Sequence, residues 1–280
     1  LKFIDDNKDQ PFFLFVPTVL PHAELAGPTD EFYALYEDAF SETPHKGEDY
    51  GPEATVAGYA SVAKPRATYA AMVSRMDHYV GEIVAKLEDL GLRENTIIIF
   101  SSDNGAHQEG GADAQFFNST ADLKGLKRSL YEGGIRVPLL LSWPGTIPVQ
   151  QQNKHIAAFW DLRATVRELS HSPVNNAIDG ISFLPAILEK GTQQQHDFLY
   201  WEFHEDGGRQ ALRAKNWKLI KQQAKDPEKS YYELFDLSTD PQEKNNRAAG
   251  EPQVLKKLIK IMEQARTESP LFPFLGPTKK

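Results

Sequence analysis

The sequence predicts an α/β protein: a sheet flanked by helices over residues 1–190, then a small α+β subdomain with an antiparallel sheet over residues 191–280. Three observations predict it. First, Thr96-Ile97-Ile98-Ile99-Phe100 is a β-branched and aromatic run that ends at the polar turn Ser101-Ser102-Asp103-Asn104-Gly105. That is the pattern of a strand buried on both faces of a parallel sheet. Second, Tyr69, Met72, Val73, Met76, Val80, Ile83, Val84 and Leu87 recur at spacings of three and four, so 66–90 reads as an amphipathic helix facing a core. Third, after Gln193 the pattern turns to short strands separated by turns, at Phe198 to Trp201, Gln210 to Arg213, Trp217 to Ile220 and Tyr232 to Leu237. Such spacing marks an antiparallel sheet.

The remaining elements follow in order. Lys2 to Lys8 reads as helix. Phe12-Phe13-Leu14-Phe15-Val16 is a continuous apolar run and a second candidate buried strand, ending at Pro17 and followed by Pro21-His22. Residues 24–64 contain Gly27-Pro28, Pro44 and Gly51-Pro52, the chemistry of a loop. At about 40 residues it is long for a compact domain, and it reads either as a loop rimming a binding site or as a mobile excursion; its His45 is expected in solvent. Pro65 suits a first helical turn and Gly91 ends the long helix. Val137 to Leu141 and His155 to Phe159 read as further short buried strands, Asp161 as the cap of a helix reaching about Leu169, and Ile181 to Leu188 as a short helix. Pro252 opens a last helix, with Val254, Leu255, Leu258, Ile259, Met262 and Ala265 on one face.

Composition narrows the classes. The chain has 280 residues, 40% hydrophobic and 25% charged, which suits one large domain or a large piece with a small one. With 31 basic and 39 acidic residues the net charge is −8, so neither nucleic acid nor an anionic membrane surface is an expected partner. No apolar stretch approaches the ~20 residues that span a bilayer. The absence of cysteine excludes disulfides, thiolate metal sites and a cysteine nucleophile within the chain.

The chemistry gathers where strands end, because ligands in open α/β sheets collect at the carboxyl edge. Asp103 and Asn104 offer two hard oxygen ligands at such an edge, although Asp, Asn and Gly are also favoured in turns on conformational grounds alone. A carboxylate and an amide oxygen select a hard cation such as Ca²⁺ or Mg²⁺. Lys124, Lys127 and Arg128 bring positive charge about twenty residues further on, beside the tight turn Glu132-Gly133-Gly134. A cation site next to a cationic side chain suits an oxyanion substrate. His22 follows its apolar run as Asp103 follows its own, and reads either as a loop histidine or as part of the same site.

Three ordered motifs, Ser102-Asp103-Asn104-Gly105, Leu123-Lys124-Gly125-x-Lys127 and Tyr131-Glu132-Gly133-Gly134-Ile135-Arg136-Val137-Pro138, closely resemble the second half of an arylsulfatase-type sulfatase. The likeness runs from Pro11-Phe12-Phe13 to the last helix. It implies an alkaline-phosphatase-like mixed or parallel sheet, with 1–190 as the C-terminal part of the catalytic domain. It implies sulfate-ester hydrolysis, of a sulfated carbohydrate or other small molecule, by a formylglycine nucleophile beside Ca²⁺ or Mg²⁺, in a periplasmic or secreted protein. By the same resemblance Asp103 and Asn104 are metal ligands, and Lys127, four residues before Tyr131, binds a sulfate oxygen. His22 assists the departing alcohol, while His107 and His204 contact substrate. Lys124 and Arg128 are expected in solvent, Asp77 is expected to be structural, and Glu132, Gly133, Gly134 and Arg136 are expected to shape the turn. The Cys/Ser-x-Pro/Ala-x-Arg motif that yields formylglycine does not occur here. Ser142-Trp143-Pro144 and Ser182 to Pro185 do not fit it, and Asp5-Asp6 lies in a polar segment unlike the paired aspartates of the family. The resemblance thus places those parts N-terminal to this chain, which alone is expected to be inactive. Alternatives are a phosphodiesterase or phosphonate hydrolase of the same superfamily, or non-catalytic binding of sulfated glycans.

Overall fold

The long helix dominates the first of two compact units. In the computed structural model, which describes residues 1–49, 58–173 and 178–274, one unit comprises residues 1–100, 106–119 and 139–145, and the other residues 101–105, 120–138 and 146–280.

The first unit opens with α1 (Lys2–Asn7) and α2 (Glu31–Ala34), the latter capped by the Asp30 carboxylate, which accepts from Phe32 N–H and Tyr33 N–H. The helix α3 (Pro65–Asp89) forms where its periodicity predicts, with Pro65 in its first turn and Gly91 beyond it at φ 66°. No side chain of its own N-cap residue satisfies its first amides. Instead Glu42 reaches in from the preceding loop and accepts from Arg66 N–H at 3.0 Å and Ala67 N–H at 2.8 Å. Met72 packs with Leu25 and Ala112 in a small core, while Val73 on the predicted stripe is exposed. Arg66 clamps Asp113, with Nη2 2.7 Å and Nε 3.2 Å from Oδ2.

Four expectations are corrected in these terms. Phe12 to Val16 is not a strand: Phe13 is 70% and Phe15 67% exposed, and the run enters no described ladder. His155 to Phe159 is not one either, because its amides are taken locally: His155 N–H donates to Asn153 Oδ1 and Ala158 N–H to Asp161 Oδ2. Asp161 is no cap; it lies inside α5 (Asp161–Leu169), fully buried, and also accepts from Ile181 N–H at 2.8 Å and His196 Nε2 at 2.9 Å. His45 is not in solvent. It is buried, and its backbone pairs with Val62 in a bridge that gives residues 24–64 some order; Tyr50 to Ala57 of that stretch lie outside the described residues.

The strand β1 (Ile98–Ser101) forms and pairs with β2 (Leu139–Ser142) in a two-stranded sheet. Neither is fully buried: β1 is half-buried throughout and Leu140 is 61% exposed. Among the described residues no helix is long and apolar enough to cross a membrane.

The second unit carries α4 (Glu132–Ile135), α5, α6 (Leu184–Leu188) and a four-stranded antiparallel sheet, β3 (Leu199–Phe203), β4 (Arg209–Ala214), β5 (Trp217–Gln222) and β6 (Tyr231–Asp236), in sequence order. The register places Leu212, Leu219 and Leu234 side by side, and α7 (Pro252–Ala265) covers them with Leu258 and Met262. Each such leucine contributes about 1.5–3 kcal/mol by leaving water. Because side chains alternate across a strand, the other face presents Ala211, Ile220 and Phe235, which pack against Leu130, Tyr131 and Ile135. The segment bearing α4 is therefore clamped onto a rigid sheet.

Arg66 holds the Asp113 carboxyl below the usual carboxylate range. A carboxyl made more acidic by folding stabilises the fold above its unfolded pKa of about 4, and that contribution fades as pH falls through the folded value. Asp113→Asn is expected to cost about 1 kcal/mol at pH 7, a gap to wild type that narrows at a pH below the ordinary carboxyl value of about 4. Urea unfolding of both proteins at the two pH values measures it, and an unchanged gap would refute the assignment.

Candidate functional site

In the second unit, Asp103 and Asn104 sit on the tight turn that leaves β1. Ser102 Oγ donates to Asn104 O at 2.9 Å, and Asn104 Nδ2 donates to Gly105 O at 2.9 Å. The Asn104 amide nitrogen is thus committed to the backbone, which leaves Oδ1 as its acceptor end. Gly105 N–H then donates to Gly134 O at 2.9 Å. The approach is so close that a Cβ on Gly105 would stand 1.9 Å from Gly133 O.

That contact joins the Asp103–Asn104 tip to the turn carrying Lys127. Ser129 N–H donates to Leu126 O at 2.9 Å, which sets Lys127 second in a four-residue turn and Arg128 third, at φ 74°. A positive φ in the third position belongs to type II turns and favours Gly or Asn, so an arginine there marks a backbone fixed by its surroundings. Gly133 N–H donates to Lys124 O at 2.8 Å, closing the loop on itself. Lys127 itself is half-buried.

Lys124 keeps 39% of its side chain exposed, as expected, yet it has partners. Its Nζ lies 3.9 Å above the Tyr131 ring, 3.8 Å from Glu233 Oε1 and 3.3 Å from Glu243 O. Tyr131 OH in turn donates to Glu233 Oε2; burial, then that hydrogen bond and the Glu233 charge, push the Tyr131 phenol up. Glu132 is buried against Lys218 and Glu243, and burial raises the Glu243 carboxyl against the opposing pull of Lys218. Neither Lys218 nor Glu243 was singled out by the sequence, because each partner lies more than eighty residues from Glu132 along the chain. The one available signal was a lysine inside the otherwise apolar Trp217-Lys218-Leu219-Ile220.

His204 belongs to the same unit. Its Nε2 pairs with Glu202 Oε2 at 3.0 Å, and its ring stacks on Phe272 with centroids 4.1 Å apart. Burial raises the Glu202 carboxyl, but the hydrogen bonds of Tyr200 and His204 and the Arg266 charge outweigh it, and the net shift is downward. The adjacent Glu205 approaches Arg128 Nε at 3.8 Å, and Arg209 Nη1 donates to Arg128 O at 3.0 Å, which brings the end of β3 beside the lysine turn.

The first unit brings His22 and His107 together, their rings stacked with centroids 5.6 Å apart. His107 Nε2 lies 3.1 Å from Pro21 O, and Glu109 N–H donates to His107 Nδ1 at 3.2 Å. A carbonyl only accepts and an amide only donates, so His107 is the neutral tautomer with its proton on Nε2. In His22 the Nδ1 proton goes to Ala23 O, and any proton exchange by His22 runs through Nε2.

The donor set can be tested against a metal. Asp103 is exposed and Asn104 half-buried, and both offer hard oxygens suited to Ca²⁺ or Mg²⁺. Among the described residues no three His, Cys, Asp or Glu side chains gather in a way that could hold an ion. By donor type alone, Asp103 and Asn104 would supply two of the six to eight oxygens that Ca²⁺ takes.

Residues 1–172 match the family model described as Sulfatase, and residues 125–268 the model described as N-sulphoglucosamine sulphohydrolase, C-terminal. The chain is 34% identical over 210 residues to arylsulfatase K of Gallus gallus, covering 72% of this chain and 37% of that protein. It is 26% identical over 284 residues to N-acetylgalactosamine-6-O-sulfatase of Bacteroides thetaiotaomicron, covering 95% of this chain and 49% of that protein. It thus spans half or less of the length of these curated relatives. The crystal structure of Ps i-CgsB in complex with k-i-k-neocarrahexaose superposes with a TM-score of 0.75 at 29% identity, over 94% of this chain and 52% of that one. That of BT4656 in complex with its substrate D-glucosamine-2-N,6-O-disulfate gives 0.58 at 25% identity, over 71% and 40%. The fold is that of these sulfatases.

Gly105→Ala should force the tip away from Gly133 and cost about 1–3 kcal/mol, as overpacking does. A fall in the denaturant midpoint measures it; an unchanged midpoint would mean that the two backbones are not locked together.

Proposed function

The chain belongs to the sulfatase family, and on that premise we propose that the protein hydrolyses sulfate esters of a sulfated carbohydrate. Sulfatases in general work with a metal ion and a formylglycine. The observation that carries the reading is the 2.9 Å hydrogen bond from Gly105 N–H to Gly134 O, which ties two hard oxygen ligands to a lysine-bearing turn. An ester sulfate is a tetrahedral oxyanion, and charge shifts onto its oxygens as the sulfur–oxygen bond to the alcohol breaks. Fixed positive charge at those oxygens lowers the barrier because it needs no reorganisation at the moment of reaction.

Lys127 binds a sulfate oxygen as a point charge. Asp103 and Asn104 hold a hard cation, Ca²⁺ or alternatively Mg²⁺, which when bound would neutralise further sulfuryl charge. His22 delivers a proton to the departing alcohol through Nε2, its Nδ1 being committed to Ala23. His107, with both ring nitrogens bonded to backbone, holds the His22 ring by stacking and adds substrate contact at its edge. His204 contributes at the saccharide end, beside the lysine turn. The names of the relatives, an N-acetylgalactosamine-6-O-sulfatase among them, support a sulfated glycan as substrate; the family resemblance supports a periplasmic or secreted location.

In the whole protein, Lys127→Ala and His22→Ala should each lower kcat on an aryl sulfate by about 10²–10³-fold at unchanged folding. Chelation should abolish turnover and Ca²⁺ restore it. Wild-type rates in both variants would remove these roles, and faster turnover of an aryl phosphate than of the sulfate would identify a phosphoryl-transfer relative instead.

A further inference from the structure

Three ionisable side chains meet around Glu132, five residues after Lys127, with almost no access to water. Lys218 and Glu243 are 0% exposed and Glu132 2%. Lys218 Nζ lies 2.9 Å from Glu132 Oε1 and 3.1 Å from Glu243 Oε1, with Arg213 Nη1 3.4 Å from Glu132 Oε2. Glu243 Oε2 accepts Glu132 N–H at 2.6 Å. Glu132 is therefore gripped twice, by its side chain and by its backbone.

Stability alone does not account for the cluster. Charges taken from water cost heavily, and apolar side chains of similar volume stabilise a buried site as well or better. What the charges add is directional geometry. Glu243 adopts a left-handed φ of 53°, disfavoured for a residue with a Cβ. It is wound into that form by Asp240, whose carboxylate accepts from Lys244 N–H at 3.1 Å and Asn245 N–H at 2.8 Å. The Glu243 carbonyl also accepts from Lys124 Nζ, so one loop grips both ends of the segment that contains Lys127.

We propose that Lys218, Glu132 and Glu243 are positioning residues that fix α4, so that Gly134 O meets Gly105 N–H and the Asp103–Asn104 tip is set in register with Lys127. The step rests on the functional reading above for its consequence in catalysis, but its backbone consequence is independent of it.

The test uses the whole protein carrying Lys218→Met, Glu132→Met and Glu243→Met together, which removes the three buried charges and takes a carboxylate only from Arg213, whose side chain is 20% exposed. Amide hydrogen exchange at Gly105, Glu132 and Gly133 should quicken on the order of 10–100-fold while the amides of β4 and β5 keep theirs, and kcat on an aryl sulfate should fall by a similar factor with KM little changed. Exchange and kcat within about twofold of wild type would overturn the proposal. So would acceleration spread evenly over the sheet, which is the mark of a general stabiliser. Should the triple variant not fold, Glu243→Gln, which keeps an oxygen for Glu132 N–H, is compared with Glu243→Ala. Slow exchange in the first and fast in the second supports positioning, and equal exchange refutes it. Absence of sulfate-ester hydrolysis by the wild type would count against the function and leave the exchange result to decide the positioning.

Discussion

Two stretches of backbone in the second unit approach each other with no space for a side chain between them, and the geometry of the candidate site depends on that approach. Gly105 faces Gly133 and Gly134. Gly133 in turn faces the carbonyls of Leu123, Lys124 and Gly125, where a Cβ would stand 2.3–2.8 Å from oxygen. A glycine loses more freedom on folding than any other residue, so a cluster of three costs conformational entropy that only the contact itself offsets. What is gained is a short path: a hydrogen bond from Gly105 to Gly134 and another from Gly133 to Lys124. Two backbone hydrogen bonds thus separate the Asp103–Asn104 tip from the lysine-bearing loop.

Much of this was legible in the residues. The antiparallel sheet was readable from four short runs at regular spacing, each separated from the next by turn residues; the register then follows from the short connections. The long helix was readable from its period and from Pro65 and Gly91. The strands assigned to Phe12–Val16 and to His155–Phe159 failed for different reasons. Apolar composition states what a segment would bury, not which backbone will pair with it, and Phe13 and Phe15 remain mostly in solvent. At His155–Phe159 side chains of Asn153 and Asp161 captured the amides that a ladder would need, a local competition that a hydrophobicity pattern does not register.

The site divides the same way. Asp103 and Asn104 stand out as oxygen donors at a strand end, whereas Lys127 is picked out by the family resemblance, four residues before Tyr131. Lys124, one turn of sequence earlier, carries the same charge but a different duty, and nothing local distinguishes the two. Its role emerges only when Tyr131 and Glu233 arrive from elsewhere in the chain. Lys218 and Glu243 are harder still: a buried lysine in a strand reads as an outward-facing residue until the face it occupies is covered by Leu130 and Tyr131.

Hydrogen-bond direction also separates the two stacked histidines. His107 lies between a donor and an acceptor of the backbone, so protonating it would set Nδ1–H against Glu109 N–H and lose a bond. With both ring nitrogens engaged by backbone, His107 is suited to orienting its neighbour rather than to delivering a proton. His22 makes its Nδ1 contact to a carbonyl, and a carbonyl tolerates the imidazolium as well as the neutral ring. Both protonation states of His22 therefore keep the same contact, the condition a residue must meet to give up a proton and take it back without moving.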